Sequence, residues 1–221
     1  MNYTRLWQGP NTAPYPIRHT PLKRLFDLAF SLIILVLGAP LFLLIALLVK
    51  LTSQGPAIFA HERIGRGGRR FRCYKFRTMH PNAEERLTQI LENNPDMARE
   101  WESHYKLKND PRVTWIGKFL RKTSLDELPQ FWNVLMGDLS VVGPRPVTEN
   151  ELKQEIGPHA RRFLTIRPGL TGPWQVSGRN DTSYHQRICF DIYYIRHRSF
   201  LWDLYLILLT IPAMITTRGA Y

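Results

Sequence analysis

The longest apolar run of the chain extends from Ala29 to Val49 and contains no charged side chain. At a rise of about 1.5 Å per residue, a helix of this length reaches roughly 30 Å, the thickness of a bilayer core. Pro40 lies near the centre of the run and lacks the backbone N–H that a helix interior requires. The run therefore predicts a membrane-inserted helix with a kink at Pro40.

The residues beside this run indicate how it enters the membrane. Lys23 and Arg24 precede the run, and Lys50 follows it. Short basic flanks prefer the cytoplasmic side of a membrane, and here both flanks are basic. We therefore favour a re-entrant helix over residues 21–50, which enters and leaves through one face. A simple membrane-spanning helix is the alternative.

After the run, the pattern changes to short alternating segments. Residues 57–63 and 69–77 flank the glycine-rich stretch Gly65–Gly68, which predicts a β-hairpin. In the second arm of this hairpin, the alternation places Lys75 and Arg77 on one face.

The pattern beyond the hairpin is mainly helical. It predicts a polar helical pair over 82–108, interrupted by an Asn-Pro step, and helices over 124–136, 184–196 and 200–215. The last of these is too short to span a membrane comfortably. It is either a core helix or an interfacial amphipathic helix.

These elements define an α+β fold that is mostly helical. Residues 143–146 and 167–172 combine glycine, proline and arginine, and we expect them to form rigid loops. Residues 1–20 are expected to be a flexible tail, 21–50 the re-entrant membrane helix, and 51–221 a single cytosolic catalytic domain.

The net charge of +12 over 221 residues points to an anionic partner. Anionic lipid headgroups, phosphorylated substrates and nucleic acid are the candidates. The arginines lie in short motifs among glycines and prolines, whereas a protein that reads a duplex carries them along one helix face. We therefore expect lipid or phosphorylated partners and no nucleic acid. The two cysteines, Cys73 and Cys189, have no metal-binding spacing.

Two adjacent carboxylates, Asp126 and Glu127, follow a pair of cations that includes Arg121. One interpretation is structural, because Ser124 with Glu127 three residues later forms a capping box. The other is chemical, because the helix dipole and nearby cations hold a carboxylate of the first turn in its ionised form. An ionised, oriented carboxylate suits a covalent nucleophile or a magnesium ligand. The two interpretations are compatible.

Several cations are candidates for phosphate binding. Arg145 lies between two prolines that restrict its backbone, so its guanidinium is suited to bidentate phosphate recognition. Lys75, Arg77, Arg112 and Arg179 are further candidates, although each of them could equally be a surface cation.

The order of these motifs resembles that of the bacterial sugar transferases, small monotopic phosphoglycosyl transferases that act on polyprenyl phosphate. The segments that carry the resemblance are KRLFD (23–27), YKFRTM (74–79), NDPRVT (109–114), LRKTSLDELPQFWNVLMGDLSVVGPRP (120–146), RPGLTGPWQVSGRN (167–180) and DIYYIRH (191–197). The resemblance extends from Lys23 to Tyr221. Within the family, the SGRND stretch is similar to that of hexose-1-phosphate transferases that initiate exopolysaccharide or O-antigen synthesis.

The resemblance implies transfer of galactose 1-phosphate or glucose 1-phosphate from a UDP-hexose to undecaprenyl phosphate, with release of UMP. It implies that Asp126 forms a covalent phosphosugar intermediate and that Asp126 and Glu127 hold Mg²⁺. For Glu127, a role as base is the alternative. The resemblance also implies a re-entrant membrane helix, with the catalytic domain on the cytoplasmic face of the bacterial inner membrane.

The resemblance further implies which cations contact the donor. Phosphate clamps are expected at Arg121 and Arg145. Contacts to the nucleotide are expected at Lys75, Arg77 and Arg179.

Asp191 is expected near the site, with a position on a helix surface as the alternative. Lys23 and Arg24 are expected to hold anionic lipid headgroups. The sequence does not distinguish galactose, glucose and an N-acetylated sugar as the transferred sugar. A homodimer is a further expectation. The alternative from another class is a membrane-anchored scaffold that binds anionic lipid or polysaccharide without catalysis.

Overall fold

The computed structural model describes residues 21–104, 107, 109–178 and 182–215. The expected tail over 1–20 and the candidate Arg179 lie outside the described residues. Within these ranges the chain forms ten α-helices and four short strands. In chain order they are α1 (Pro21–Leu37), α2 (Ala39–Thr52), β1 (Ile58–Ile64), β2 (Arg70–Phe76), α3 (Ala83–Asn93), α4 (Pro95–His104), α5 (Trp115–Thr123), α6 (Gln130–Met136), β3 (Ser140–Val142), α7 (Ala160–Phe163), β4 (Gly169–Thr171), α8 (Pro173–Val176), α9 (Tyr184–His197) and α10 (Phe200–Ile215).

The N-terminal apolar segment folds as two helices that meet at Gly38 with a bend of 62°. Backbone hydrogen bonds continue across the bend, from Gly38 N to Ile34 O and from Phe42 N to Gly38 O, each at 2.9 Å. A Cβ at Gly38 would lie 2.5 Å from the Ile34 carbonyl oxygen, so this close approach requires glycine. Pro40 occupies the first turn of α2, where its missing N–H removes no helical bond. The predicted kink is confirmed.

No single helix of the described residues is long and apolar enough to cross a membrane, but α1 and α2 together meet that requirement by length and composition. Both helices leave a large apolar surface exposed, which in proteins of this size marks contact with lipid or with another protein. The exposed apolar side chains of the pair are Leu22, Leu25, Leu32, Ile33, Val36, Leu37, Leu41, Leu43, Leu44, Leu47 and Leu51. Helix α10 likewise exposes Leu201, Tyr205, Leu208 and Ile211.

The predicted hairpin is confirmed, with β1 and β2 paired antiparallel over their full length. A short 3-10 turn, Arg66–Gly68, joins the strands and uses glycine at positive φ. Arg63 lies opposite Phe71, and Phe71 shares a face of β2 with Lys75. Because residues directly opposite each other in an antiparallel pair also share a face, Arg63 and Lys75 lie on the same side of the hairpin.

A second pair of strands was not predicted. Strands β3 and β4 run parallel, with Ser140 opposite Gly169. The expectation of a loop over 167–172 is therefore wrong for the three residues of β4, because strands this short have too few positions for alternation to be visible. Gly169 permits the pairing, since a Cβ there would lie 2.0 Å from the backbone nitrogen of Gly143.

The predicted helices are largely confirmed. The polar pair is α3 and α4, which separate at Asn94, and the later segments are α9 and α10. The segment expected as one helix over 124–136 is instead a 3-10 turn, Leu125–Glu127, followed by α6. The main core lies between β2, α6, β3, α9 and α10, and a smaller cluster packs Ile45 and Val49 of α2 against α5 and β2.

The two cations at the start of α1 contact the protein. Arg24 donates to the carbonyls of Val134 at 2.7 Å and of Leu135 at 3.1 Å, in the last turn of α6. Lys23 Nζ lies 2.6 Å from Oδ2 of Asp203 in α10. A lipid headgroup would therefore meet side chains that already have protein partners, and the headgroup role of Lys23 and Arg24 stays a prediction.

Asp27 extends this connection from α1 into β3. Its side chain accepts a hydrogen bond from the Ser140 hydroxyl at 2.8 Å and from the Val141 N–H at 3.1 Å. Asp27 is 2% exposed, so both bonds lie in the protein interior. Since β3 leads directly into the loop that carries Arg145, the apolar helix pair and this loop are joined by a short stretch of backbone.

Candidate active site

The two candidate carboxylates lie in a 3-10 turn between α5 and α6. Helix α5 ends at Thr123, and Ser124 adopts the left-handed conformation with φ of 57°. The Ser124 side chain forms no capping bond, so the capping box expected between Ser124 and Glu127 is wrong. A left-handed residue ends a helix, whereas an N-cap residue has extended backbone. Asp126 and Glu127 are therefore presented by a tight turn.

Lys75 of β2 reaches both carboxylates. Its Nζ lies 2.6 Å from Oε1 of Glu127 and 3.7 Å from Oδ2 of Asp126. Successive side chains in a 3-10 helix diverge by about 120°, so a group that contacts both has to approach from outside the turn. Lys75 is such a group. It was expected to contact the nucleotide, and the structure places it beside the two carboxylates.

Asn133 of α6 holds β2 beside this turn. Its Oδ1 accepts from the N–H of Tyr74 at 3.0 Å, and its Nδ2 donates to the carbonyl of Arg72 at 2.7 Å. The amide thus satisfies the edge of β2 that β1 does not cover. Because Lys75 directly follows Tyr74, these two bonds set the distance between the Lys75 ammonium and the carboxylates.

Burial raises the pKa of the Asp126 carboxyl above its usual value. Lys75 opposes this rise, Glu127 adds to it, and Arg121 and Arg145 oppose it. The side chain of Asp126 is 10% exposed and that of Glu127 is 28% exposed, so desolvation acts most strongly on Asp126. The ionised form that a nucleophile or metal ligand needs therefore depends on the surrounding cations.

A small cleft opens beside Glu127, between the hairpin, the start of α6, the loop that follows β3, strand β4 and helix α8. Its lining residues are Arg63, Cys73, Lys75, Glu127, Gln130, Arg145, Pro146, Gly169, Leu170 and Gln175. Three of these side chains are cations and one is a carboxylate. The excess of positive charge suits an anionic ligand such as a diphosphate.

The structure brings both expected phosphate clamps to this region. Arg145 lines the cleft, and its guanidinium carbon lies 5.3 Å from the centre of the Trp174 ring. Arg121 donates from Nε to the Thr78 hydroxyl at 3.0 Å, and its charge favours ionisation of Asp126. Arg145 is thus placed to contact a ligand in the cleft. Arg121 is placed to favour the ionised form of Asp126.

Arg77 and Arg112 lie elsewhere, and neither lines the cleft. Arg77 donates to the carbonyl of Ser53 at 2.8 Å, just after α2. Arg112 donates to the carboxylate of Asp110, with the shortest contact at 2.6 Å, and its guanidinium carbon lies 5.1 Å from the centre of the Trp101 ring. Both arginines are 7% exposed, so the surface-cation alternative is also wrong for them. Their positions do not support a phosphate contact.

Asp191 lies in α9 and is 0% exposed, so the alternative of a helix-surface position is wrong. Burial raises the pKa of its carboxyl to about 7, while the charges of Arg187 and Arg145 favour the ionised form. Asp191 is therefore within electrostatic reach of the cleft through Arg145, although it does not line the cleft.

Three cleft residues with an arginine or amide side chain were not predicted as site residues from the sequence. Arg63 had a usable signal, because the hairpin register places it on the face of Lys75. Gln130 and Gln175 also line the cleft, but isolated amides carry no pattern that separates a binding residue from any other polar side chain.

Asp126 and Glu127 are the expected magnesium ligands. Among the described ranges, no group of three or more His, Cys, Asp or Glu side chains could hold a metal ion. Mg²⁺ is commonly held by one or two carboxylates together with phosphate oxygens of the substrate. Asp126 and Glu127 fit that arrangement, with the remaining ligands supplied by a bound diphosphate and water.

The carboxylate pair beside the cation-lined cleft suits the binding of a phosphate-bearing ligand. The model of the bacterial sugar transferase family matches residues 18–217, and the chain belongs to this family. The resemblance seen in the sequence motifs is thereby confirmed.

Similar proteins from three bacteria agree with this assignment. The chain is 47% identical over 201 residues to the undecaprenyl-phosphate galactose phosphotransferase of Salmonella typhimurium (strain LT2), covering 90% of this chain and 42% of that protein. It is 50% identical over 200 residues to the exopolysaccharide production protein ExoY of Rhizobium meliloti (strain 1021), covering 90% of this chain and 88% of that protein. It is 41% identical over 206 residues to the UDP-glucose:undecaprenyl-phosphate glucose-1-phosphate transferase of Klebsiella pneumoniae, covering 90% of this chain and 41% of that protein. The chain thus spans less than half of two of these relatives and most of ExoY.

Proposed function

We propose that the chain transfers hexose 1-phosphate from a UDP-hexose to undecaprenyl phosphate, giving undecaprenyl-diphosphate-hexose and UMP. This would be the first membrane step of exopolysaccharide or O-antigen synthesis. The observation that carries the proposal is the contact of Lys75 with both Asp126 and Glu127 at the edge of a cleft that contains Arg63 and Arg145. The names of the relatives support galactose or glucose as the hexose.

In the first step, an Oδ atom of Asp126 attacks the β-phosphorus of the UDP-hexose. A bond forms between Oδ and phosphorus, the bond from phosphorus to the bridging oxygen breaks, and UMP leaves with that oxygen. The hexose phosphate stays on Asp126 as an acyl phosphate. Arg63 and Arg145 bind the diphosphate oxygens from the cleft, and Lys75 offsets the charge of the transferred phosphoryl group.

In the second step, an oxygen of undecaprenyl phosphate attacks the same phosphorus. The bond from phosphorus to Asp126 breaks and the carboxylate is regenerated. The acceptor phosphate is already an anion near neutral pH, so this step needs no base, and Glu127 acts as an orienting group or metal ligand. When held by Asp126 and Glu127, Mg²⁺ would neutralise charge on the leaving UMP.

The lipid acceptor requires a site at the membrane surface, and we assign α1 and α2 to a re-entrant helix on the cytoplasmic face of the bacterial inner membrane. The 62° bend and the exposed apolar side chains of the pair support this topology. Helix α5 exposes Trp115 and Phe119 one turn apart, and α6 exposes Trp132 and Met136 in the same way. Such faces suit an interfacial position among lipid headgroups.

The reaction is tested by incubating the purified chain with UDP-hexose, Mg²⁺ and a short polyprenyl phosphate, followed by measurement of released UMP. Asp126→Asn is expected to abolish release, and the exposed Asp96→Asn serves as a matched carboxylate control. Without acceptor, mass spectrometry is expected to find a hexose phosphate on Asp126. Undiminished UMP release by Asp126→Asn, or an adduct on another residue, would refute the role of Asp126. A chain that binds donor and releases no UMP would favour the scaffold.

The sugar and the topology are tested separately. Comparing UMP release from UDP-galactose, UDP-glucose and an N-acetylated UDP-sugar identifies the donor. Tags at Met1 and Tyr221 are both expected to be protected in sealed cells. External labelling of the tag at Met1 alone would show that the apolar segment crosses the membrane. A homodimer stays a prediction.

A further inference from the structure

A stack of aromatic and cationic side chains adjoins the cleft at Arg145. The guanidinium carbons of Arg145 and Arg187 lie 5.3 Å and 5.0 Å from the centre of the same Trp174 ring. Arg187 also lies 4.9 Å from the centre of the Tyr184 ring. Trp174 donates from Nε1 to the Thr182 hydroxyl at 2.8 Å, which fixes the orientation of the indole. One indole thus contacts two guanidinium groups, of which only that of Arg145 lines the cleft.

The cleft arginine has no other anchor within the described part of the chain. In those ranges the Arg145 side chain forms no hydrogen bond and no ion pair, and the indole of Trp174 is the group it contacts directly. Cation–π contact holds a guanidinium in a plane without using its N–H groups. The donors of Arg145 are therefore available for a ligand while its orientation is restricted.

Two guanidinium groups on one ring repel each other unless negative charge lies nearby. Asp191 supplies such charge, because it lies one helical turn after Arg187 and interacts with the charges of both Arg187 and Arg145. It is 0% exposed, and the backbone of Arg145 lies close enough to its carboxylate to favour the ionised form. Glu151 supplies a second negative charge, with Oε1 at 3.5 Å from Nη1 of Arg187. A buried ionised carboxylate is costly unless cations lie nearby, and Arg187 and Arg145 are such cations here.

We propose that Trp174, Arg187 and Asp191 are positioning residues that hold the Arg145 guanidinium ready for a phosphate group of the donor. The inference rests on the proposed function, because that function makes the ligand of Arg145 a nucleotide diphosphate. In this arrangement the ring restricts Arg145, Arg187 fixes the position of the ring, and Asp191 offsets the charge of the two guanidinium groups. None of the three residues lines the cleft, and each acts through Arg145.

The test uses the full chain in lipid nanodiscs and measures UMP release over a range of UDP-hexose concentrations. Trp174→Ala is expected to raise the KM for the donor about threefold to tenfold, with a smaller change in kcat, because a cation–π contact of this size is lost. Trp174→Phe keeps an aromatic face and is expected to restore most of the affinity. The matched control is Trp101→Ala, which removes the ring beside Arg112 and leaves the cleft intact. A purely structural role would reduce the number of active molecules, which lowers kcat and leaves KM unchanged.

A double-mutant cycle identifies Arg145 as the target. Arg145→Lys alone is expected to raise the donor KM, and adding Trp174→Ala is expected to cause little further increase, because both changes remove the same oriented guanidinium. Asp191→Asn keeps the volume of the side chain and is expected to raise the donor KM in the wild-type background but not beside Arg145→Lys. It therefore tests the proposal even if Trp174→Ala fails to fold.

The outcomes separate the two levels of inference. A wild-type chain that releases no UMP from any UDP-sugar would refute the proposed function. An active wild type, together with an unchanged donor KM in both Trp174→Ala and Asp191→Asn, would refute the positioning role alone. Increases in KM that simply multiply in the cycle with Arg145→Lys would also overturn it, because Trp174 would then act independently of Arg145.

Discussion

Lys23 and Asp203 are 180 positions apart in the sequence, and the Lys23 Nζ donates to Oδ2 of Asp203 at 2.6 Å. Asp203 is 2% exposed, and its other oxygen accepts from the Tyr194 hydroxyl at 2.7 Å. The apolar helices α1 and α10 are thus joined through a buried carboxylate. In lipid, apolar faces gain little free energy from contact with each other, so polar contacts of this kind determine how such helices associate.

We predict that Asp203→Ala lowers the free energy of unfolding by about 1–3 kcal/mol. The Lys23 ammonium would keep only its 4.0 Å contact with Asp27, and the Tyr194 hydroxyl would keep only its 3.2 Å bond to the Val142 carbonyl. Thermal unfolding of the purified chain in detergent measures the effect. Asp96→Ala is the control, because its ion pair with Arg99 lies on the surface and contributes little. Equal melting temperatures for the two variants would contradict the role of Asp203.

We predict that Asn133→Ala lowers the free energy of unfolding by about 2–4 kcal/mol and also slows UMP release. The substitution leaves the Tyr74 N–H and the Arg72 carbonyl without partners and frees β2 to move away from the carboxylate turn. Chemical denaturation and the UMP assay measure the two effects. Asn93→Ala is the control, since that amide is exposed and bonds only within its own helix. Normal UMP release by a folded Asn133→Ala variant would show that Asn133 does not set the position of Lys75.

The hairpin and the site illustrate what the sequence could predict. Strand alternation and the glycine turn determine the register of β1 and β2, so the face of Lys75 followed from local pattern, and that of Arg63 was open to the same argument. The bond from Tyr74 to Asn133 joins residues 59 positions apart and has no periodic signal. Such long-range polar contacts depend on how the helices pack, and no local sequence pattern predicts that packing.

The turn at Ser124 illustrates a local pattern with two meanings. A serine followed three residues later by glutamate can begin a helix, but the same letters occur here after a helix end, where Ser124 has positive φ. The sequence therefore predicted the correct carboxylates in the wrong local structure. The bend of the apolar segment was predictable from Pro40, whereas the burial of Asp27 depends on its contact with β3.

Lys75→Met is expected to shift the acid limb of UMP release to higher pH and to lower the rate at neutral pH. Lys75 lowers the pKa of Asp126 against the effect of burial, so removing its charge raises that pKa further and reduces the ionised fraction. The pH dependence of UMP release at saturating donor measures the shift. Lys153→Met removes a surface ammonium paired with Glu149 and is expected to leave the profile in place. Identical acid limbs for Lys75→Met and wild type would contradict this electrostatic link.

The buried Asp191 makes the stability of the fold depend on pH. Its pKa is 3.8 in an exposed carboxyl and about 7 in the folded chain, where desolvation outweighs the charges of Arg187 and Arg145. An acid whose pKa is raised by folding binds its proton more tightly in the folded state. It therefore stabilises the fold below about pH 4, and this contribution is lost as the pH rises through about 7.

A change in pKa from 3.8 to about 7 corresponds to roughly 4 kcal/mol, so Asp191→Asn should match the wild type near pH 4 and exceed its stability by up to that amount at pH 8. Urea denaturation at both pH values measures the difference, and Asp96→Asn is expected to follow the wild type. The same variant is expected to bind the donor less tightly, so Asp191 would favour donor binding at the expense of stability. Parallel stability curves for wild type and Asp191→Asn would show that the buried carboxyl keeps an ordinary pKa.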